Sequence, residues 1–146
     1  MLPEEPGIYI LILRLSQSTA ISVGKLGDFT FPAGWYAYVG SARGPGGLAA
    51  RVSRHWRASE TCHWHIDYLR LHAEPVAVWY TATSRNLECR WAKVLLELPG
   101  AAKPVSSFGS SDCRCPTHLV RFPARPDLLA FAGSVPSSVV ETSLQV

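Results

Sequence analysis

The run GIYILILRL occupies residues 7–15 and is apolar or β-branched at nearly every position. A short run of this kind predicts a buried β-strand. AISVGKLGDFTF at residues 20–31 predicts two further short strands joined by a turn at residues 27–28. GWYAYVGSA at residues 34–42 alternates aromatic with smaller residues, as a strand does. Residues 7–42 are therefore expected to form a small antiparallel sheet.

The spacing of apolar residues becomes helical after residues 40–47, a stretch that contains four glycines and one proline. Helices are predicted at residues 48–56 and 63–72. Their expected apolar stripes are Leu48, Val52 and Trp56 in the first helix, and Trp64, Tyr68 and Leu71 in the second.

A strand and a longer helix are predicted next. PVAVWYTA at residues 75–82 returns to a strand pattern, and a helix is expected over residues 85–100. Ser84 is its predicted N-cap and Gly100 its predicted end. From Lys103 onward, short extended pieces and loops are expected.

The length and composition suit one globular domain. The chain has 146 residues, of which 17% are charged and 47% apolar, so it can bury a core and does not resemble a disordered chain. The expected fold class is α+β, with a small, mainly antiparallel sheet flanked by helices, over residues 1–126. Residues 127–146 contain no Lys or Arg and are predicted to be a loosely attached C-terminal tail.

The positive charge is unevenly distributed. No acidic residue lies between Asp28 and Glu60, although the net charge of the whole chain is only +3. That interval contains the arginines Arg43, Arg51, Arg54 and Arg57. A patch of one sign favours an anionic partner, commonly a nucleic acid. A solvated helix face that happens to be basic is an equally good interpretation.

The cysteines and the N-terminus indicate a cytoplasmic protein with reduced thiols. Four irregularly spaced cysteines do not suit a secreted disulfide scaffold. The first apolar run is interrupted at Arg14, whereas a membrane span needs about 20 apolar residues. The acidic start of the chain does not suit a signal peptide.

Two clusters of Cys and His raise the question of zinc. They are Cys113, Cys115 and His118 in one and Cys62, His63 and His65 in the other. The C-x-C spacing is tighter than the usual C-x₂₋₄-C pair, so structural thiols and a hydrogen-bonded core histidine are the preferred interpretation. In HWHID, the residues His63, His65 and Asp67 could support a site or line a nucleic-acid groove. Structural histidines that tie the helix to the sheet are an equal alternative.

Arg51 and His55 are four residues apart and share one face of the predicted helix. Guanidinium and imidazole groups side by side suit a phosphodiester, because the first neutralises charge and the second can move a proton. Tyr9 and Tyr38 could face each other in a paired sheet, with Tyr36 on the same strand face as Tyr38. Tyrosines that simply pack in strands are the competing interpretation.

Three motifs together are more specific. GIY at residues 7–9, YVG at residues 38–40 and LAARVSRH at residues 48–55 resemble the GIY-YIG nuclease superfamily. The resemblance implies that the two tripeptides lie on neighbouring strands, and that Arg51 and His55 follow on a helix. It also implies that Glu88, on a later helix, binds a metal ion.

The resemblance extends to one branch of that superfamily, a family of unassigned function sometimes fused to endonuclease III-type glycosylases. YVGSA, RHW, HWHIDYL, EC and FGSSDCRCPTHL occur here in that order, within residues 6–122. The implied activity is hydrolysis of DNA, in repair or processing, with RNA not excluded as a substrate.

The resemblance also implies roles for individual residues. One Mg²⁺ or Mn²⁺ ion would be held by Glu88 and would bind the scissile phosphate. Tyr9 would act as the general base for water, Tyr38 would position water or phosphate, and Arg51 would counter the developing charge. The glycine-rich loop would let a phosphate backbone approach. The residues expected to contact nucleic acid are Gly40, Ser41, Arg43, Arg54 and Arg57.

One departure from the superfamily keeps other functions open. Members commonly place an Asn late in the chain beside the metal, whereas the only Asn here is Asn86. This favours, as an alternative, a nucleic-acid-binding module on the same fold that does not cleave. A small zinc-stabilised interaction domain is a third hypothesis.

Overall fold

The computed structural model describes residues 2–57, 61–110 and 115–144. The strands are β1 (Gly7–Leu15), β2 (Thr19–Val23), β3 (Gly27–Phe31), β4 (Gly34–Ala42), β5 (Glu74–Ala82), β6 (Leu119–Phe122) and β7 (Val140–Thr142). The α-helices are α1 (Gly47–Trp56), α2 (His65–Arg70), α3 (Glu88–Glu97) and α4 (Leu128–Ala132). The predicted α+β class, with a small antiparallel sheet flanked by helices, is confirmed.

The main sheet has five strands in the order β6-β4-β1-β5-β7, and every neighbouring pair is antiparallel. β1 is central, with Gly7 opposite Ala42 of β4 and Ala82 of β5. β2 and β3 form a separate two-stranded hairpin. The predicted sheet over residues 7–42 is therefore divided, because β1 pairs directly with β4, and within the described part of the chain the strands of the hairpin between them pair only with each other.

The unbroken apolar pattern of β1 arises because both faces of the sheet are covered. Tyr9 and Leu11 point into a core that includes residues of α1, α2 and the hairpin. Ile8 and Ile10 point into the opposite core, which includes residues of α3 and α4. Neighbouring residues of a strand face opposite ways, so a strand covered on both faces is apolar at nearly every residue, with exposed Arg14 as the exception in β1.

Helix α1 packs as predicted, with Leu48, Val52 and Trp56 all buried. Its first residue, Gly47, has a φ of +57°, in the left-handed region that favours glycine. A side chain there would overlap the backbone carbonyls of residues 4 and 5. The amide of Leu48 donates to the carbonyl of Glu5 at 2.9 Å, so the N-terminal segment lies directly against the start of the helix.

The predicted stripe of α2 is only partly confirmed, because Trp64 and Tyr68 are partly buried against the core whereas Leu71 is not. The helix begins only at His65, with Trp64 in extended backbone before it, and its buried apolar residues are Ile66 and Leu69. Leu71, just after the last turn, is 43% exposed. Trp64 is outside the helix, so helical spacing that starts from it does not locate the buried residues Ile66 and Leu69.

Two predicted boundaries also change. The turn between β2 and β3 is a 3₁₀ turn at Gly24–Leu26, not at residues 27–28, and Gly27 already pairs with Val23. Helix α3 begins at Glu88, with Leu87 and not Ser84 at the N-cap position. The helix ends at Glu97, before Pro99 and Gly100.

The C-terminal segment is not loosely attached. Phe131 of α4 is fully buried, and its ring centroid lies 5.6 Å from that of Trp79 and 5.1 Å from that of Trp91. β7 pairs with β5, and Trp79 Nε1 donates to Glu141 Oε2 at 2.7 Å. The lack of Lys and Arg indicated a tail, but packing depends on the apolar side chains.

None of the helices within the described ranges has the length and apolar character that a membrane crossing requires.

Phe131→Ala should lower the free energy of unfolding by about 3–5 kcal/mol, because it leaves a cavity between two buried tryptophans. Urea denaturation followed by tryptophan fluorescence measures this. The matched control is Leu129→Ala on the same helix, which removes a side chain that is 79% exposed and should change stability by less than about 0.5 kcal/mol. Equal losses in the two variants would contradict the packing described here.

Candidate functional site

Three strands present their termini at one end of the sheet. Because β1 runs antiparallel to both neighbours, its first residue, Gly7, lies beside the last residues of β4 and β5. The chain enters α1 after β4 and reaches α3 after β5. Residues far apart in sequence are therefore brought to this end.

Tyr9 and His55 form the centre of the site. The Tyr9 hydroxyl and His55 Nε2 are 2.6 Å apart, and both side chains are almost fully buried. The Tyr38 ring meets the His55 ring edge-on, with 6.1 Å between centroids. Tyr9 is opposite Gly40 in the β1–β4 register and diagonal to Tyr38, so the two tyrosines share a face without lying directly opposite.

Gly40, the last residue of YVG, makes room for Tyr9. A side chain at Gly40 would overlap the Tyr9 hydroxyl. Gly40 is itself buried, so its observed contact is with the phenol. The absence of a side chain at Gly40 therefore leaves room for the Tyr9 phenol, which is a candidate catalytic group.

The buried groups are held in their neutral forms. Burial raises the pKa of Tyr9 well above its ordinary value, and nearby Tyr38 raises it further, while Arg51 lowers it. Burial likewise raises the pKa of Tyr38. Burial lowers the pKa of His55 to about 3, although Asp67 opposes the shift. A neutral imidazole can accept the Tyr9 proton at Nε2.

Asp67 supports the site from α2. Its carboxylate accepts two hydrogen bonds from Arg54, each 3.2 Å, and two from the backbone N–H groups of His63 and Trp64. Burial alone would raise the pKa of Asp67, but these hydrogen bonds lower it overall. Asp67 Oδ1 is 4.0 Å from His55 Nδ1, which is too far for a hydrogen bond but close enough to stabilise a positive charge on the ring.

Trp64 is a site residue that the sequence pattern placed only in an apolar stripe. The guanidinium carbons of Arg51 and Arg54 lie 4.4 Å and 4.1 Å from the centre of its ring. The His55 ring centroid is 5.5 Å from that of Trp64. Arg51 also donates to the carbonyl of Ser41 at 3.2 Å. The tryptophan thus orients both arginines. In the sequence, its place between two histidines in HWHID was the feature that could have identified it as a site residue.

Glu88 approaches from the other helix layer. It is the first residue of α3, whose apolar side packs on the opposite face of the sheet from His55. Its charge nevertheless raises the pKa of both Tyr9 and Tyr38. Glu88 is partly exposed, so the same carboxylate is accessible to solvent and acts electrostatically on both buried phenols.

The three arginines predicted to contact nucleic acid differ in their surroundings. Arg43, before α1, and Arg57, after it, are exposed and donate to the carbonyls of Ser84 and Ser53. Arg54 is instead committed to Asp67. Exposed positive charge is thus present at both ends of α1.

The two histidines of HWHID, His63 and His65, do not join Tyr9 and His55. His65 Nδ1 accepts a hydrogen bond from the amide of Gly109 at 2.8 Å, and its ring packs on Phe108. This geometry favours the alternative in which His65 ties α2 to the rest of the fold. His63 is exposed, and its ring lies against Trp64.

Cys89 and Cys115 form a disulfide bond, so the prediction of reduced thiols is wrong for this pair. The pairing links the start of α3 to the segment before β6, a tertiary contact that spacing does not reveal. His118 Nε2 is 4.0 Å from Cys89 Sγ. Cys113, grouped with Cys115 and His118 in the predicted zinc site, lies outside the described residues. Cys62, of the second predicted cluster, is a free, partly buried thiol.

The state of His55 predicts a pH-dependent stability. In the unfolded chain its pKa is about 6.5, but in the folded protein it is about 3. Between these values the unfolded state binds more protons, so stability should fall as the pH falls. His55→Gln should therefore make the free energy of unfolding less dependent on pH. Between pH 6.5 and 4 the slope should fall by at most about 1.4 kcal/mol per pH unit.

Urea denaturation at pH 7, 5.5 and 4 measures the difference. His72→Gln is the matched control, because His72 is exposed just beyond α2 and its loss should leave the slope unchanged. A slope for His55→Gln that equals the wild-type slope would show that His55 is not held neutral by burial.

Comparisons with known proteins give one result. No curated protein and no solved structure matches the chain. The family described as "Domain of unknown function DUF123" matches residues 8–140, nearly the whole chain, including α4 and the first residue of β7. The protein therefore belongs to the DUF123 family.

Proposed function

We propose that this protein is a divalent-metal-dependent endonuclease of the GIY-YIG type that hydrolyses DNA phosphodiester bonds. The observation that carries the proposal is the buried Tyr9–His55 hydrogen bond at 2.6 Å. Arg51 and Glu88, the two charged residues that the reaction needs, both influence the pKa of the same phenol. We place the activity in DNA repair or processing in the cytoplasm, with RNA as a further possible substrate class.

The hydrogen bond supports a proton relay. Tyr9 has a raised pKa, so a free phenolate is not populated near neutral pH. The phenol oxygen instead accepts a proton from the attacking water as its own proton passes to His55 Nε2. The water oxygen forms its bond to phosphorus, and the bond to the leaving oxygen breaks. Asp67, 4.0 Å from Nδ1, stabilises the imidazolium that forms.

Arg51 supplies the positive charge for the pentavalent state. Its guanidinium stacks on Trp64 and is anchored to the carbonyl of Ser41. A cation that is already oriented costs no reorganisation when the phosphorane charge develops. Tyr38, on the same sheet face, is the second phenol available to position water or phosphate.

Glu88 is the residue that would hold a Mg²⁺ or Mn²⁺ ion. A single partly exposed carboxylate at a solvent edge suits an ion that keeps most of its waters. The negative charge of Glu88 raises the pKa of both Tyr9 and Tyr38, which supports placing a cation beside this carboxylate. When bound, the ion supplies Lewis-acid stabilisation of the phosphate and the leaving oxygen.

A nucleic-acid backbone is the substrate class that fits the surrounding charge. Arg43 and Arg57 are exposed and flank α1, the helix that carries Arg51 and His55. Phosphate contacts of this kind give affinity without sequence specificity.

A non-cleaving nucleic-acid-binding module is the second candidate. The observation that favours it is the single asparagine, Asn86, which lies in the exposed loop before α3. The chain has no second asparagine that could assist Glu88 at the metal.

Glu88→Gln should reduce cleavage by about a hundredfold or more, because the isosteric amide loses the charge that binds the ion. The assay titrates Mg²⁺ and Mn²⁺ with branched, nicked and single-stranded DNA. Glu97→Gln, at the exposed C-terminal end of the same helix, is the matched control and should cleave as wild type does. DNA binding without cleavage by the wild type and both variants would establish the binding module instead.

Arg51→Ala should slow cleavage at least tenfold with the fold retained, since one charge-stabilising contact is lost. Single-turnover kinetics measure the rate, and circular dichroism checks the fold. Lys93→Ala removes an exposed positive charge from α3 and should leave the rate unchanged. A wild-type rate for Arg51→Ala would make Arg51 an ordinary surface residue.

A further inference from the structure

A second group of ligating side chains lies beside the proposed catalytic residues. Cys89 follows Glu88 in α3, and Cys115 and His118 precede β6. The two sulfur atoms and one ring nitrogen of His118 all lie within 4.8 Å of one another. Among the described residues the group includes Cys89, which the sequence did not indicate, whereas Cys113 lies outside them.

The distance between Cys89 Sγ and the His118 ring nitrogen suits a tetrahedral zinc site, whereas the two sulfur atoms are bonded to each other here and would have to separate on reduction to reach zinc-ligand spacing. Zinc bonds of about 2.3 Å to sulfur and about 2.0 Å to nitrogen place neighbouring ligand atoms roughly 3.5–3.8 Å apart. Cys89 Sγ and His118 Nε2 are 4.0 Å apart. Two residues, Pro116 and Thr117, separate Cys115 from His118, which is within the spacing of known zinc ligand pairs.

The His118 ring is oriented as a metal ligand usually is. Nε2 is the nitrogen nearer Cys89, and the ring also makes a hydrogen bond with the backbone of Gly109. A hydrogen bond from a metal-binding histidine to the backbone commonly fixes the ring for coordination.

The two sulfur atoms are accessible to dissolved reagents. Cys89 is exposed and Cys115 is partly exposed, so both a reductant and a metal ion can reach them. Cys89 is the second residue of a ten-residue helix, where the amide groups of the first turn favour a thiolate. His118 is buried and closes the inner side of the group.

We infer that the reduced protein binds one zinc ion through Cys89, Cys115 and His118, and that the Cys89–Cys115 disulfide is the oxidised, metal-free form of this site. The fourth position is left to water or an exchangeable ligand. Two thiolates neutralise the Zn²⁺ charge, so the occupied site would not repel a cation at Glu88. The inference goes beyond the endonuclease proposal and does not depend on it.

Conversion of the disulfide form into the zinc-bound form balances in electrons and protons. A dithiol reductant gives two electrons and two protons to the disulfide, which yields two cysteine thiols and the oxidised, cyclic disulfide of the reductant. Zinc then displaces both thiol protons. In the test a phosphine serves instead, because it does not compete for zinc as a dithiol does; the phosphine and one water become the phosphine oxide.

Cobalt is the probe that reports the ligands directly. The full chain, reduced with a phosphine and desalted without oxygen, is titrated with Co²⁺. We expect thiolate-to-cobalt charge-transfer absorption and the visible bands of a tetrahedral site, saturating at about one equivalent and abolished by added Zn²⁺. The oxidised protein should show neither signal.

The variants test the ligand set. Cys89→Ser, Cys115→Ser and His118→Gln should each weaken cobalt binding at least about tenfold. Cys62→Ser, which removes the free thiol before α2, is the matched control and should bind as wild type does. Unchanged binding by Cys89→Ser would overturn the inference, because cobalt would then be held by a different set, such as one with Cys113.

A measurement on the wild type alone avoids any effect of misfolded variants. Zinc should protect Cys89 and Cys115 of the reduced protein from iodoacetamide, while Cys62 is alkylated with or without zinc, as peptide mass spectrometry would show. Equal alkylation of Cys89 with and without zinc would also overturn the inference. Neither readout uses DNA, so the failure of the endonuclease proposal would leave both unaffected.

Discussion

The structure depends on β1 being covered on both faces and paired along both edges. A strand in this position must be apolar wherever both of its faces are covered, and its antiparallel neighbours must end where it begins. Because α1 follows β4 and α3 follows β5, both helices start near the N-terminal end of β1. The central strand therefore builds the core and also determines where the candidate functional residues meet.

Close packing at that end leaves little freedom. A side chain at Gly7 would collide with Leu48 of α1 and with the backbone at Thr81, and one at Gly40 would collide with the Tyr9 hydroxyl. The two glycines thus allow α1 and the Tyr9 ring to approach the sheet. In this family member the glycine of YVG has a steric role inside the protein that is independent of any ligand.

The electrostatics of the site follow from its burial. Tyr9 and His55 are neutral and share one hydrogen bond, an arrangement that avoids the cost of burying separated charges. The charged groups form a border around them, with Arg54 and Asp67 paired on one side and Glu88 partly exposed on another. The Cys89–Cys115 disulfide lies next to Glu88 and ties the start of α3 to the segment before β6. Redox chemistry at this bond would therefore act on the residue proposed to hold the catalytic ion.

The sequence by itself determined the elements whose pattern is local: β1, β4, β5 and α1, together with the four-residue spacing that places Arg51 and His55 one turn apart. Patterns predict less where an element is short, as the partly confirmed stripe of α2 shows, or where composition alone suggests a loosely attached segment, as at the C-terminus. Tertiary structure alone decided that Tyr9 bonds His55 across 46 residues, that Trp64 orients two arginines, and that Cys89 joins Cys115 across 26. Periodicity records which face of an element is apolar, whereas the partner of a particular atom depends on strand register and on how helices pack against the sheet.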